Sequence, residues 1–341
     1  MIRWVLAALF ALTPSTLVAA PGDEIYTHPG RLLEARDGAR LNLVCLGTGS
    51  PTIVFDSGWS DWAPAWAVVQ PRIAQFTRAC SYDRAGSGFS APGPTPRTTE
   101  RIASELHDAL RAGAIAGPYV LVGSAFGGDH VRAVADLFPS EVAGLVLVDA
   151  DAADVDTPEN RKQDDEGNLS YVPKFRQCRD AIASGNIGYG LPPPPGRLPR
   201  TCAQGFFRGL PESLWSEELN AKVLDIAQHK VAMWDADISE MEQVPADEIW
   251  LQQHRRTFGS MPIRILTSGN HGSGHLERPH EPTIEHLKYE YDRALAQSHW
   301  LTLSSDAKQI FVKSSSEYIQ FDQPQAVIEA VREEVELARS R

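Results

Sequence analysis

The strongest constraint on this chain is an alternation between short apolar runs and helical stripes. The runs are Leu41–Leu46, Thr52–Asp56, Ala79–Asp83, Tyr119–Gly123, Gly144–Asp149, Ile263–Thr267 and Gln309–Lys313. Several, such as TIVFD and YVLVG, are apolar at consecutive positions, so both faces must be covered, as in a parallel sheet. Between them, apolar residues recur at helical spacing: Ile102, Leu106, Ala109 and Leu110, then Val131, Val134, Ala135 and Phe138. Val327, Val331, Val335 and Ala338 form a third stripe, opened by Pro324 in its first turn. Strands that alternate with helices predict an α/β fold with a doubly wound, mostly parallel sheet.

The alternation fails between residues 151 and 260. This stretch begins DADAADVD, contains the run Pro192–Pro195 and then becomes helical. Its position after GLVLVD predicts a largely helical cap inserted over the carboxyl edge of the sheet, with sheet-forming segments at 21–150 and 261–341. A charge of −12 from 32 basic and 44 acidic residues argues against a general nucleic-acid binder.

Residues 1–20 read as a secretory signal peptide. Arg3 precedes the apolar stretch Trp4–Leu12, and Val18 and Ala20 suit the small-residue positions before a cleavage site. The expected mature chain starts near Pro21 and is periplasmic or secreted. Nine apolar residues fall far short of the ~20 a spanning helix needs, and no later segment is long enough to cross a membrane. Export makes disulfides the expected state of Cys45, Cys80, Cys178 and Cys202, which allow three pairings. Cys178 and Cys202 both fall in the cap, where they can close a loop without reaching the core.

The motifs PTIVFDSGWSDWAPAW, CSYDRAGSGFSAPGP, GPYVLVGSAFGGDHVR and EVAGLVLVDA follow one another, and SSSEYIQFDQPQAVIEAV closes the chain. In this order they resemble the α/β-hydrolase fold, in particular secreted bacterial serine hydrolases of the esterase and lipase kind. The resemblance makes the strands of Cys45 and Cys80 neighbours and so implies the pairs Cys45–Cys80 and Cys178–Cys202. It also implies an oxyanion hole from the backbone N–H groups of Phe126 and Trp59, with Gly58 permitting close approach. Ser87 and Ser90, in YDRAGSGFS, then shape a neighbouring turn. No cofactor is implied.

The chain departs from that pattern at two catalytic positions. The elbow reads Gly123-Ser124-Ala125-Phe126-Gly127-Gly128, with Ala125 in the nucleophile's place. Where the family shows Ser-Gly-His, this chain has Ser315-Ser316-Glu317, and all ten histidines lie at or before His299. Alanine has no nucleophilic atom, and a carboxylate is a weaker base than imidazole near neutral pH. Asp149, at the end of the next strand, is the candidate acid, with an equally good structural role in holding loop N–H groups.

The leading expectation is therefore a protein of esterase-like ancestry that lacks ordinary serine-hydrolase turnover and binds a small molecule under the cap, or a protein partner. An alternative is an active hydrolase or lyase acting on an ester, amide or acyl compound through Glu317 and Asp149, which could share a proton. Another relocates hydrolysis to Ser124, Ser57 or Ser60 with His271 or His275. The loop of His271, His275, Glu277 and His280 has metal-binding residue types but no regular element to fix them, so no metal is expected. Trp59, Trp62 and Trp66 read as packing or pocket wall.

Overall fold

The computed structural model describes residues 22–151, 166–193, 198–207, 210, 213–270 and 283–341. The expected signal peptide, Pro194 and Pro195, and the histidine loop of His271, His275, Glu277 and His280 lie outside the described residues.

Eight strands form one sheet: β1 (Arg31–Glu34), β2 (Arg40–Leu46), β3 (Thr52–Asp56), β4 (Ala79–Asp83), β5 (Tyr119–Ser124), β6 (Val142–Val148), β7 (Ile263–Ser268) and β8 (Ala307–Val312). Their order is β1-β2-β4-β3-β5-β6-β7-β8. The β1–β2 and β2–β4 pairs are antiparallel, and every later pair is parallel. The expected doubly wound, mostly parallel sheet is therefore present.

Strand geometry explains why the central runs are apolar throughout. Side chains alternate between faces, so Ile53, Phe55, Val120, Val122, Val146 and Val148 join one core. Their neighbours Val54, Leu121, Leu145 and Leu147 join the other, with Ala109, Leu110, Val131 and Val134 from the helices Thr99–Ala112 and Phe126–Leu137. The C-terminal helix Pro324–Ser340 covers the opposite face with Val327, Val331 and Val335. Thr98 caps Thr99–Ala112 by accepting from the Arg101 N–H at 3.2 Å, which satisfies one of the donors a helix start leaves open.

Between β6 and β7 the described residues carry the helices Val172–Ala183, Cys202–Phe206, Glu217–His229 and Val231–Gln253. Phe175, Trp234 and Met233 from this segment pack in the same core as Trp62 and Trp66 from the loop after β3. Both implied disulfides are formed. Cys45 and Cys80 sit opposite one another on β2 and β4, and Cys178 is bonded to Cys202.

Candidate functional site

The turn between β5 and the helix Phe126–Leu137 is strained at one residue. Ala125 has φ 47° and ψ −123°, a conformation that L-residues seldom adopt. Its neighbours are glycines because the turn leaves no room: a Cβ on Gly123 would collide with the Gly127 carbonyl, and one on Gly127 with the Asp56 carbonyl. The Ala125 N–H donates to the Val148 carbonyl at 3.2 Å, and its carbonyl accepts from Gly128 N–H at 2.9 Å. These bonds fix the register that puts Ala125, and not Ser124, at the apex. The Phe126 N–H heads the helix, where first-turn donors have no intrahelical acceptor.

Beside the apex is a cavity of about 860 Å³ lined by Trp59, Ala125, Phe126, Glu317, Asp61 and Gly58, among others. A Cβ built on Gly58 would stand 3.4 Å from the Ala125 methyl, which shows how closely the loop after β3 approaches the elbow. Tyr171, Met241, Val244 and Leu251 bring the segment between β6 and β7 into the wall.

A buried arginine holds the β3 loop in place. Arg84, 2% exposed, donates from Nη1 to Asp56 Oδ1 at 2.9 Å and to the Ser57 carbonyl at 2.8 Å. Its Nη2 donates to the Gly58 carbonyl at 2.8 Å, and its Nε to Glu240 Oε1 at 3.1 Å. One guanidinium therefore ties β3, the Ser57–Gly58 turn and the helix Val231–Gln253 together. Asp56 also accepts from the Tyr82 hydroxyl and lies 3.3 Å from His130 Nδ1. Although burial opposes it, these partners hold the Asp56 carboxyl below its ordinary range, with the largest effect from His130. Trp59 is anchored separately by Nε1 donating to the Asp237 carbonyl at 3.0 Å.

The candidate acid has a full set of partners, two of which, Gln297 and Arg293, line the cavity. Asp149 is fully buried and accepts from the Ser268 N–H at 3.0 Å, the Ser268 hydroxyl at 2.7 Å and Gln297 Nε2 at 3.1 Å. Arg293 lies 3.1 Å from its other side. Asp149 thus joins the ends of β6 and β7 to the helix Ile284–Ser298, whereas Glu317 lines the cavity.

Among the described residues, Asp61 feels the charge of Glu317, and the sequence reading did not single it out. Burial, opposed by the pull of Arg84 and aided by the charge of Glu317, raises the Asp61 pKa to about 7. Asp247, on the same wall, is raised to about 6 by burial despite hydrogen bonds from Thr99. Asp61 falls inside a tryptophan-rich loop with no motif of its own, and Arg84 sits in YDRAG, which suggested only turn geometry. A charged residue inside an otherwise apolar or small-residue run was the available signal for both.

Two of the three candidate serines have structural partners. The Ser57 hydroxyl donates to the Trp62 carbonyl and accepts from Trp66 Nε1, each at 3.0 Å. The Ser60 hydroxyl donates to Asp237 Oδ2 at 3.0 Å. Ser124 lines the cavity at the base of the elbow. Ser90 bridges the Asn42 N–H and the Asp83 carbonyl, a turn-holding role. Among the described residues, no three His, Cys, Asp or Glu side chains are grouped to hold a metal ion, and no helix is long and apolar enough to cross a membrane.

Strand order and elbow are those of the α/β-hydrolase fold, and residues 51–183 match the family model described as alpha/beta hydrolase fold. The chain has the α/β-hydrolase fold, and the family match covers the part of it from β3 into the segment after β6. It is 29% identical over 163 residues to the uncharacterized protein C23C11.06c of Schizosaccharomyces pombe, covering 39% of this chain and 30% of that one. It spans less than half the length of the first curated relatives it matches. Among solved structures it is similar to Cfl2 from Burkholderia cenocepacia, with a TM-score of 0.62 and 19% identity over 89% of this chain and 94% of that one. A thermophilic esterase from Thermogutta terrifontis gives a TM-score of 0.56 and 20% identity over 91% and 99%.

Proposed function

We propose that this chain is an exported α/β-hydrolase-fold protein that binds a small molecule in the elbow cavity and does not perform serine-dependent acyl transfer. The observation that carries this reading is the methyl group of Ala125 at the strained apex. Acyl transfer there needs an oxygen nucleophile on that residue and a base within hydrogen-bond reach. Glu317 supplies a carboxylate where the fold's usual base would stand. The strained turn, its glycines and the cavity are all kept, which supports retention of a binding function. In this reading residues 151–260 act as the cap that selects the ligand, and the two disulfides suit an oxidising compartment.

The test is hydrolysis of p-nitrophenyl acetate and butyrate by the chain from Pro21 onward, beside Ala125→Ser and the double variant Ala125→Ser with Glu317→His. The native chain is expected to match the buffer rate, and the double variant to exceed it. Native turnover that Ala125→Gly leaves intact would overturn the reading.

The raised proton affinity of Asp61 beside Glu317 favours one second reading, a carboxylate pair that shares a proton and acts as acid and base on a bound ligand or water. In this reading Asp61 is the partner of Glu317. Turnover by the native chain that both Glu317→Gln and Asp61→Asn abolish would establish it.

A further inference from the structure

The cavity wall holds an imidazole that no motif points to. His130 is 2% exposed and lines the cavity, one turn along the helix Phe126–Leu137 from the Phe126 N–H that heads it. Four residues of helical rise put the two about 6 Å apart along the axis. The Nδ1 of the ring is buried and stands 3.3 Å from Asp56 Oδ2. The Nε2 makes no hydrogen bond among the described residues and is the ring nitrogen left open to the cavity.

The surroundings fix what that ring can do. Asp56 is clamped by Arg84 at 2.9 Å and by the Tyr82 hydroxyl. Although burial opposes it, His130, Arg84 and Tyr82 hold the Asp56 carboxyl below its ordinary range, so it is ionised near neutral pH. An ionised carboxylate only accepts, so the neighbouring Nδ1 carries the hydrogen and Nε2 presents a lone pair. From the helix Val231–Gln253, Asp247 is near enough for the ring to act on its carboxyl. A buried imidazole oriented by a carboxylate, with its second nitrogen open to a cavity, has the arrangement of a general base. The elbow beside it narrows the chemistry. Its apex offers a methyl and no nucleophile, whereas the helix head one turn away offers an N–H to a carbonyl oxygen.

We propose that His130 is the base of a proton-transfer site, and that the cavity takes a ketone or related carbonyl compound with a C–H beside the carbonyl. Nε2 removes that proton. The C–H electron pair becomes a carbon–carbon double bond, and the carbonyl π pair moves to the oxygen, which the Phe126 N–H holds. The imidazolium then returns its proton to the same carbon, or to the far end of a conjugated system, so exchange or isomerisation results and no co-reactant is consumed. Base and oxyanion donor must reach atoms two bonds apart, each across a contact of about 3 Å, which a separation of about 6 Å along the helix allows. Asp56 is the positioning residue. This adds an activity to the binding reading of the preceding subsection and rests on it.

The test follows cyclohexanone in deuterium oxide by proton NMR, where loss of the signal beside the carbonyl gives the exchange rate. A positioned base contributes roughly 10²–10⁴-fold, so the disulfide-intact native chain is expected to exceed the buffer rate at least tenfold. The His130→Ala chain should fall to the buffer rate, and added imidazole should restore its exchange beyond what imidazole does in buffer alone, a rescue that a merely structural role would not give. Exchange by the native chain at the buffer rate, or equal exchange by the native and His130→Ala chains, overturns the proposal. Should His130→Ala fail to fold, His130→Gln takes its place with the same expected loss. Titration calorimetry with cyclohexanone separates the two readings: binding without exchange defeats the base alone, whereas serine-type ester turnover by the native chain defeats the binding reading itself.

Discussion

Replacing Ala125 by glycine should stabilise the protein, a result opposite to most substitutions in a buried turn. At φ 47° and ψ −123° the alanine Cβ crowds its own backbone, and strain of this kind costs about 1–3 kcal/mol in a non-glycine residue. Glycine removes it. Against that, the unfolded glycine variant gains chain freedom worth about 0.4–1 kcal/mol. Loss of a half-buried methyl takes away roughly a further 0.5 kcal/mol. The balance is a gain of about 1 kcal/mol. Urea unfolding with both disulfides intact measures it as a rise in midpoint of roughly 0.3–0.5 M for a slope of ~2–3 kcal/mol/M. Destabilisation by ~1 kcal/mol or more would mean that the elbow conformation is relaxed in solution, and the argument from retained strain would fail.

Other expectations follow from the same contacts. Arg84→Met removes the guanidinium that joins β3, the Ser57–Gly58 turn and Glu240, and should cost about 3–5 kcal/mol because Asp56 and Glu240 stay buried without it; a loss below ~1 kcal/mol in urea unfolding would contradict that account. Asp61 has a folded-state pKa of about 7, above its ordinary 3.8, so the folded form holds an extra proton between those values and stability falls as pH rises through that window. Asp61→Asn cannot ionise; its unfolding free energy should exceed the native one by ~2 kcal/mol at pH 8, half the ~4 kcal/mol such a shift implies because the carboxyl is partly solvent-facing, and should match it at pH 4. Breaking Cys178–Cys202 with the double alanine variant should lower stability by roughly 3 kcal/mol, given the 24-residue separation, readable as a lower melting temperature; an unchanged one would show the loop to be closed by packing alone.

Much of the fold was legible because its central strands are buried on both faces, a demand that leaves a plain apolar signature in TIVFD, YVLVG and GLVLVD. β1 was not, since its four residues have only Leu33 buried and so carry no alternation to detect. The helix Ile284–Ser298 escaped for a related reason: Ile284, Leu287, Tyr291 and Leu295 are exposed, so its apolar residues do not form a core-facing stripe. At the site, Ala125, Phe126, Trp59 and Glu317 could be named from motif register, and the structure places all four on one cavity. The carboxylate that feels Glu317 could not be named this way. Asp149 is drawn to Ser268, Gln297 and Arg293 by contacts between residues more than a hundred positions apart, while Asp61 feels the charge of Glu317 from a loop that Arg84 ties down at Ser57 and Gly58. Such long-range contacts leave no periodic trace in a chain.

Covalent labelling reaches the central claim most directly. The native chain and the Ala125→Ser, Glu317→His double variant are each incubated with a fluorophosphonate and weighed as intact proteins, with the adduct mapped by peptide mass. The expected result is an unmodified native chain and a single adduct on position 125 of the double variant, showing an elbow and oxyanion site complete except for the reacting groups. A stoichiometric adduct on any serine of the native chain would contradict the account.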